Sequence, residues 1–391
     1  MTMKKILSLF LIVFMSITIL GKFFIPSNLN PADKSVEEQP EKKPKKSSFS
    51  VMAVGDNLIH DTIYYPQYMA GAGYDFEYLY QYTEKYAKKA DLSYLNLETL
   101  CAGEQFEFSG YPMFNGPTEI LDAALRSGFN WLSASSNHSL DRGAEGLMHE
   151  VDYVHQKYPN VSITGAYSSK EASEEYVVRD INGIRVGLLG YTYGTNGIPL
   201  PEEQPWVVDI MDEDEIKKDM KAISKISDVQ IVSMHWGQEY MTEPDETQVQ
   251  FANLLNECGA EVIIGSHPHV IQPAEIMHGK NQDTLIYYSL GNFISHQDTN
   301  DRMVGGMASF TLNYDFNSKK TTFSNTKFIP TVTYVSADWQ THYATTILEY
   351  TEDMRASHDV TQNGYDMSKA WIQDYVYSIM KEPEGIEVVY E

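Results

Sequence analysis

The sequence predicts an α/β fold, a sandwich of mixed sheets flanked by helices, and three observations predict it. Short apolar, β-rich runs alternate with amphipathic segments over the first two-thirds of the globular region, the pattern of βαβ units. Asn182-Gly183 lies between two such runs and marks a hairpin, so antiparallel strands join the parallel ones. Five separated groups of metal-ligand-type residues each follow directly on an apolar run. Strand ends of one sheet converge in space even when they are far apart in sequence.

The elements follow in chain order. Lys4-Lys5 precede an uninterrupted apolar run from Ile6 to Leu20, and Phe23-Phe24-Ile25 extend it after Gly21-Lys22. With that extension the segment reaches the roughly 20 residues that a bilayer requires. It carries no convincing small-x-small cleavage site and no lipobox cysteine. Residues 1–25 therefore read as an uncleaved signal-anchor helix with its N-terminus inside, and a cleaved signal peptide is the alternative. The Lys42-Lys43 and Lys45-Lys46 cluster on the outer side runs against that orientation. Residues 26–48 are rich in Pro, Lys, Glu and Ser without apolar periodicity and read as a disordered tether. The globular domain then spans 49–340, with 341–391 as an extension packed on it.

Phe49–Val54 reads as a strand ending at Gly55-Asp56, and Leu92–Leu97 as a second ending near Glu98. Thr118–Gly128 is a helix with Gly128 as its stop; Trp131–Ser135 is a strand running into Asn137-His138. Helix Ala144–Tyr158 and strand Val161–Thr164 come next, then the hairpin of Tyr176–Asp180 and Ile184–Leu189. Helix Met211–Ile226 precedes strand Val229–Met234, which ends at His235. Helix Thr247–Cys258 precedes strand Glu261–Ile264, which ends at Gly265. Leu285–Ser289, Gly306–Tyr314 and Phe323–Val335 read as strands, and Ser368–Met380 as a terminal helix.

Composition narrows the function. A formal charge of −25 over 391 residues argues against nucleic acid and against broad binding to anionic membranes. It also repels a polyanion unless a local basic or metal-rich site overrides it. Two distant cysteines, Cys101 and Cys258, exclude a cysteine-rich scaffold and a four-cysteine zinc site, and leave a disulfide open.

The chemistry sits in the groups after the strands. Gly265-Ser266-His267-Pro268-His269 places two histidines two apart, so both can face one site. His235 ends an apolar strand in Met234-His235-Trp236-Gly237, and Glu239 follows, either holding a ligand imidazole or solvated. Asn137 offers a neutral oxygen ligand and His138 beside it can reach a substrate. Asp141 and Arg142 lie close by, with Arg142 a candidate for an anionic group and a surface ion pair its plainer role. Asp56 and Glu98 are carboxylates suited to gripping or bridging a hard divalent cation, and Asn96 lies just before Glu98. Together these make a mixed nitrogen and oxygen site suited to one or two ions of zinc, manganese or iron.

The order Asp, carboxylate, Asn-His, His, His-x-His resembles the calcineurin-like metallophosphoesterase superfamily. More closely, the chain resembles the CapA/PgsA family of bacterial capsule and poly-γ-glutamate synthesis proteins. The matching segments are Val54-Gly55-Asp56, Asn96-Leu97-Glu98, Ser136–Asp141, His235–Tyr240, Gly265–Val270 and Tyr288–Phe293, the last placing Asn292 near the site. The resemblance implies a metallophosphatase-like sandwich behind a membrane anchor, facing outside the cell. It implies that Glu98 bridges two metals, that Asn137, His235 and His267 complete one, and that Asp56 and His269 complete the other. It makes His138 the acid that protonates a leaving group, with a water activated by the metals as nucleophile. Two departures stand out. Leu58 occupies the position of a histidine ligand, with His60 nearby but not expected to replace it, and the bridging residue is Glu rather than Asp. One metal position is therefore expected to be weak, single or empty.

Three functions fit this reading. The first is an anchored extracytoplasmic protein that handles poly-γ-glutamate, with metal-assisted hydrolysis or transfer at an amide. The second is an extracytoplasmic phosphoesterase, and the third a non-catalytic scaffold of a membrane synthase complex. An acidic polymer would need the metal or a basic cluster such as Arg142 and Lys280.

Overall fold

Alternation at period two assigns each strand face to its own core. The computed structural model describes residues 45–70, 73–280 and 282–391. In strand β1, Lys46–Asn57, the side chains of Phe49, Val51 and Ala53 join one apolar cluster while Met52 and Val54 join another. The same split recurs further on. It involves β2, Leu92–Leu97, and β3, Trp131–Ser133, while β4, Ser162–Thr164, adds Ile163 to the second cluster. These run parallel to β1 in the order β1-β2-β3-β4.

A second sheet begins with the hairpin of β5, Val177–Ile181, and β6, Ile184–Thr192. Asn182 and Gly183 both have positive φ, 55° and 82°, the left-handed pair that a tight two-residue hairpin turn requires. Strands β7, Val229–His235, and β8, Val262–Ser266, continue it in parallel. Then β9, Ala274–His278, and β10, Asp283–Tyr287, close the sheet in the order β5-β6-β7-β8-β10-β9. The chain returns to the first sheet with β11, Asn292–Ile294; β12, Val304–Asp315; β13, Lys320–Val335; β14, His342–Thr346; and β15, Glu387–Val388. Among the described residues the two sheets hold nine and six strands.

Val51, Tyr94 and Trp131 of the first sheet and Val186, Ile231 and Val262 of the second share one cluster, so the sheets face each other across the main core. The outer face of the first sheet packs on helices Glu119–Arg126 and Gly143–Lys157, and that of the second on helices Glu213–Ile223 and Glu246–Cys258. The result is a four-layer helix–sheet–sheet–helix sandwich, the mixed-sheet α/β fold that the alternation predicts. The described residues belong to one compact unit, Lys43–Glu391.

Several expectations meet different structure. The first strand starts at Lys46, inside the stretch assigned to a tether, because Lys46–Ser48 complete the ladder opposite Asn313–Asp315. The C-terminal stretch contributes to both the first sheet and the main core. Its strand β14 pairs along β13, and helix Lys369–Met380 adds Ile372, Val376 and Ile379 to the main core. The predicted anchor falls outside the described residues; among those described, no helix is long and apolar enough to cross a membrane. Cys101 and Cys258 are free thiols.

Candidate metal centre

Parallel strands deliver their C-terminal ends to one edge of the sandwich. Asp56 is the penultimate residue of β1, Asn96 lies in β2 with Glu98 just beyond it, and Asn137-His138 follow β3. From the facing sheet, His235 closes β7 and His267 and His269 follow β8. Two close backbone approaches make this possible. A β-carbon on Gly55 would fall onto the carbonyl oxygen of Gly291, which accepts the amide of Asp56 at 2.9 Å. A β-carbon on Gly265 would meet the carbonyl of Tyr288 in the same way. Both glycines therefore admit the Tyr288–Phe293 segment, whose Asn292 pairs in register with Asp56. His267 and His269 have φ of 97° and 61°, left-handed conformations that side chains rarely adopt and that turn both imidazoles inward.

The geometry defines two overlapping groups. Ligand atoms of Glu98, His235 and His267 lie within 4.8 Å of one another, and so do those of Asp56, Glu98 and His269. Glu98 belongs to both. Asn137 Oδ1 lies 2.9 Å from His235 Nε2 and so faces the first group. In the second, His269 stands 3.3 Å from Asp56 and 3.4 Å from Glu98. Glu239, on the exposed rim, forms a third such group with His267 and His269. Asn292 Oδ1 faces His269 Nδ1 at 3.1 Å, and Asn96 donates to Asp56 at 3.0 Å.

Donor chemistry tests whether a cation fits. Glu98 is 1 % exposed, and among the described residues neither of its carboxylate oxygens has a hydrogen-bond partner. Asn96 Oδ1 and His267 Nδ1 are likewise buried without a partner. Buried polar atoms left this way are costly, and several around one point fit a missing charged ligand. Burial holds His235 far below the usual histidine range and His267 at about 3, with the His269 and His138 rings adding to the shift in His267. Neutral imidazoles are the form that binds metal. Burial also depresses His269, but the carboxylates of Glu98 and Asp56 outweigh it and raise that group to about 9. Burial pushes Glu98 upward, opposed by His269 and reinforced by Asp56. A divalent cation would reverse that balance by favouring the ionised carboxylate.

His138 stands beside these groups. Its Nδ1 lies 2.7 Å from Asp141 Oδ2, which also accepts the amide of Phe114 at 2.6 Å. That bond fixes the ring and leaves Nε2 as the nitrogen available to a substrate. Arg142 does not serve as the anion holder the sequence suggested. Its guanidinium donates to the carbonyls of Phe106, Glu107 and Asp141 and to the Ser109 hydroxyl, stapling that loop. Lys280 cannot join it, because the turn carrying Lys280 lies where β10 begins, at the opposite end of the strands from the site. Leu58 is buried as an apolar side chain. His60 belongs to none of the metal groups among the described residues, and its Nδ1 lies 3.1 Å from both the Leu58 carbonyl and the His296 amide.

Some neighbours have no strong sequence signal. Asn196, in a turn at φ 50°, accepts from Asn137 Nδ2 at 3.1 Å and so points the Asn137 oxygen toward His235. Only the turn chemistry of Gly194-Thr195-Asn196-Gly197 hints at it. The Tyr193 ring lies 4.6 Å from that of His267, and the Tyr240 ring 5.9 Å from that of His269.

The model of a family described as bacterial capsule synthesis protein PGA_cap matches residues 50–297, the stretch that holds every residue of this site. The chain belongs to this family. The PGA biosynthesis protein CapA of Bacillus subtilis is 34 % identical over 171 residues, 43 % of each chain. The capsule biosynthesis protein CapA of Bacillus anthracis is 28 % identical over 232 residues, 57 % of this chain and 55 % of that protein. The chain thus spans about half the length of the curated relatives it matches. Among solved structures, a phosphatase from Mycoplasma pneumoniae is similar at a TM-score of 0.43 and 14 % identity, covering 73 % of this chain and 93 % of that one. A putative 5′-nucleotidase from Staphylococcus aureus is similar at 0.44 and 15 %, covering 73 % and 54 %. Both likenesses are distant.

Proposed function

We propose that this PGA_cap protein is held at the outer face of the cell membrane by its N-terminal segment and acts on poly-γ-glutamate during capsule assembly, hydrolysing or transferring the polymer at an amide through a divalent-metal site. The observation that carries this reading is the buried Glu98 carboxylate, which among the described residues has no hydrogen-bond partner at either oxygen and is shared by two ligand groups. Glu98, Asn137, His235 and His267 would hold one cation, and Asp56, Glu98 and His269 a second. A bound divalent cation supplies Lewis acidity, lowering the pKa of water and stabilising charge on the attacked group.

The protein groups supply the rest. Asp141 holds Nδ1 of His138, so the opposite nitrogen can carry a proton to the departing nitrogen of a cleaved amide. Asn196 keeps the Asn137 amide from flipping its nitrogen toward the site. Leu58 leaves the second group with fewer donors than the first, so it would hold a cation more weakly. A membrane-bound polymer synthase is the partner that such a location implies. The charge of −25 keeps nucleic acid away and makes the metal the means of attracting an acidic polymer.

The test is incubation of the full chain with poly-γ-glutamate and Mn²⁺ or Zn²⁺, following polymer length. Shortening or transfer that disappears in Glu98→Gln and His138→Asn supports the proposal. Turnover of a phosphodiester with the polymer untouched would replace it with the phosphoesterase reading. Normal capsule in cells carrying the same variants, beside loss of capsule on deletion, would replace it with the scaffold reading.

A further inference from the structure

At the rim of the site, Arg302 sits in the short turn Asp301–Met303 that follows β11. Its guanidinium carbon lies 3.7 Å from the centroid of the Tyr240 ring, which holds the planar group face-on. Tyr240 is pinned in turn: its φ is 67°, and its amide donates to the Pro268 carbonyl between the two histidines at 2.7 Å. The Arg302 carbonyl accepts from Asn292 Nδ2 at 3.0 Å, while Asn292 Oδ1 faces His269. The arginine is therefore tied to the metal groups through two routes, one ring and one amide.

Its charge is poorly used among the described residues. Nε is buried without a partner. The ion-pair partner is Asp298, on Nη1 at 3.0 Å, and the Asp298 side chain is 85 % exposed. Such a solvated carboxylate contributes little and is readily exchanged for another. A flat, stacked guanidinium with N–H groups to spare is shaped for bidentate capture of an oxyanion. In a γ-linked glutamate polymer every amide has a free α-carboxylate close by, so a group near the metals meets one whenever the amide is seated.

We propose that Arg302, stacked on Tyr240, captures the α-carboxylate next to the amide that occupies the site, and thereby distinguishes γ-linked polyglutamate from uncharged polyamides. This assignment rests on the polymer reading above. A phosphoryl oxygen offers the same oxyanion chemistry, and the experiment separates the two.

The experiment is calorimetric binding of a γ-linked glutamate trimer and its α-amidated counterpart to the full chain in Mn²⁺, for wild type, Arg302→Gln and Arg302→Lys, with inorganic phosphate as a third probe. Wild type should prefer the carboxylate trimer, and Arg302→Gln should shrink that preference by about tenfold to a hundredfold, the worth of a charge-assisted pair. Arg302→Lys should fall between them, because it keeps the charge and loses the fork. Metal content should be the same in all three proteins, a readout that a merely structural arginine would not leave untouched. An unchanged preference in both variants overturns the role of Arg302 and leaves the polymer reading standing. Absence of trimer binding by wild type overturns both. Phosphate binding that weakens in Arg302→Gln while wild type ignores the trimer overturns the carboxylate assignment in favour of a phosphorylated ligand.

Discussion

Replacing Glu98 by Gln keeps the shape of the side chain and removes the charge shared by both ligand groups. In metal-stripped protein the wild-type carboxylate is buried, without a hydrogen-bond partner and close to Asp56, with the His269 nitrogen 3.4 Å away as its compensating neighbour. An unsatisfied buried polar atom costs about 1–3 kcal/mol. Gln relieves the charge burial and gives up the His269 pairing, so the stripped variant should match wild type within about 2 kcal/mol. Metal separates them. At a hundredfold excess over Kd, a cation that binds only folded protein stabilises it by about 2.7 kcal/mol. The compact unit, residues 43–391, unfolds with an entropy of about 0.7 kcal/mol per kelvin, so wild type should gain about 4 °C. Losing the charged ligand costs about 3–5 kcal/mol, more than about a hundredfold in affinity, and cuts the gain at that concentration below about 1 °C. Scanning calorimetry with chelator, then with Mn²⁺ or Zn²⁺, reads both quantities. An equal metal-induced shift in wild type and Glu98→Gln would refute the ligand role. A stripped variant several degrees less stable would show instead that Glu98 serves as a structural ion pair.

Asn196→Ala should weaken metal binding about 10–100-fold, because it frees the Asn137 amide to turn, with little change in the urea midpoint; a metal titration checks it. Gly55→Ala should cost about 3 kcal/mol or more in urea unfolding, since its β-carbon meets the Gly291 carbonyl; wild-type stability would show that the Tyr288–Phe293 segment can move aside. Burial raises Glu150 to about 7, eased by the Cys101 amide that donates to it at 2.5 Å. Between about 4.5 and 7 the folded chain then keeps a proton that the unfolded chain has released, so stability falls across this window, by up to about 3 kcal/mol, and levels off above it. Glu150→Gln should lie progressively above wild type from pH 5 to pH 8, and parallel denaturation curves across that range would contradict this. Chelation should weaken binding of poly-γ-glutamate, which a pull-down in excess chelator tests directly.

Much of this architecture was legible because burial on two faces leaves a strong mark. Val51, Met52, Ala53 and Val54, or Ile231 and Val232, alternate between two apolar cores, so the central strands read as unbroken apolar runs. Chemistry then follows where those runs stop, which is why Asp56, Glu98, His235, His267 and His269 could be singled out from one sequence. Edge elements leave weaker marks. Ala274–His278 has four partly or fully exposed residues of five, and Asn292–Ile294 is too short to show a period. Helix Asp61–Ala70 contains Pro66, a residue that argues against a helix in sequence. Lys46–Ser48 looked like tether because a charged, polar edge resembles a linker until its partner strand is known. The site's rim was the hardest part. Arg142 stood next to Asn137-His138 in sequence, yet its guanidinium is spent on backbone carbonyls. Arg302, some sixty positions from Tyr240, reaches the rim through a three-residue turn that no local pattern announces.

Elemental analysis of the purified protein, wild type beside a His267→Ala/His269→Ala double variant, addresses the metal centre most directly. Wild type should carry one to two equivalents of a divalent transition metal per chain, and the double variant should carry close to none. Metal absent from both proteins after incubation with Zn²⁺ or Mn²⁺, or retained equally by both, would contradict the metal centre and with it the chemistry assigned to His138.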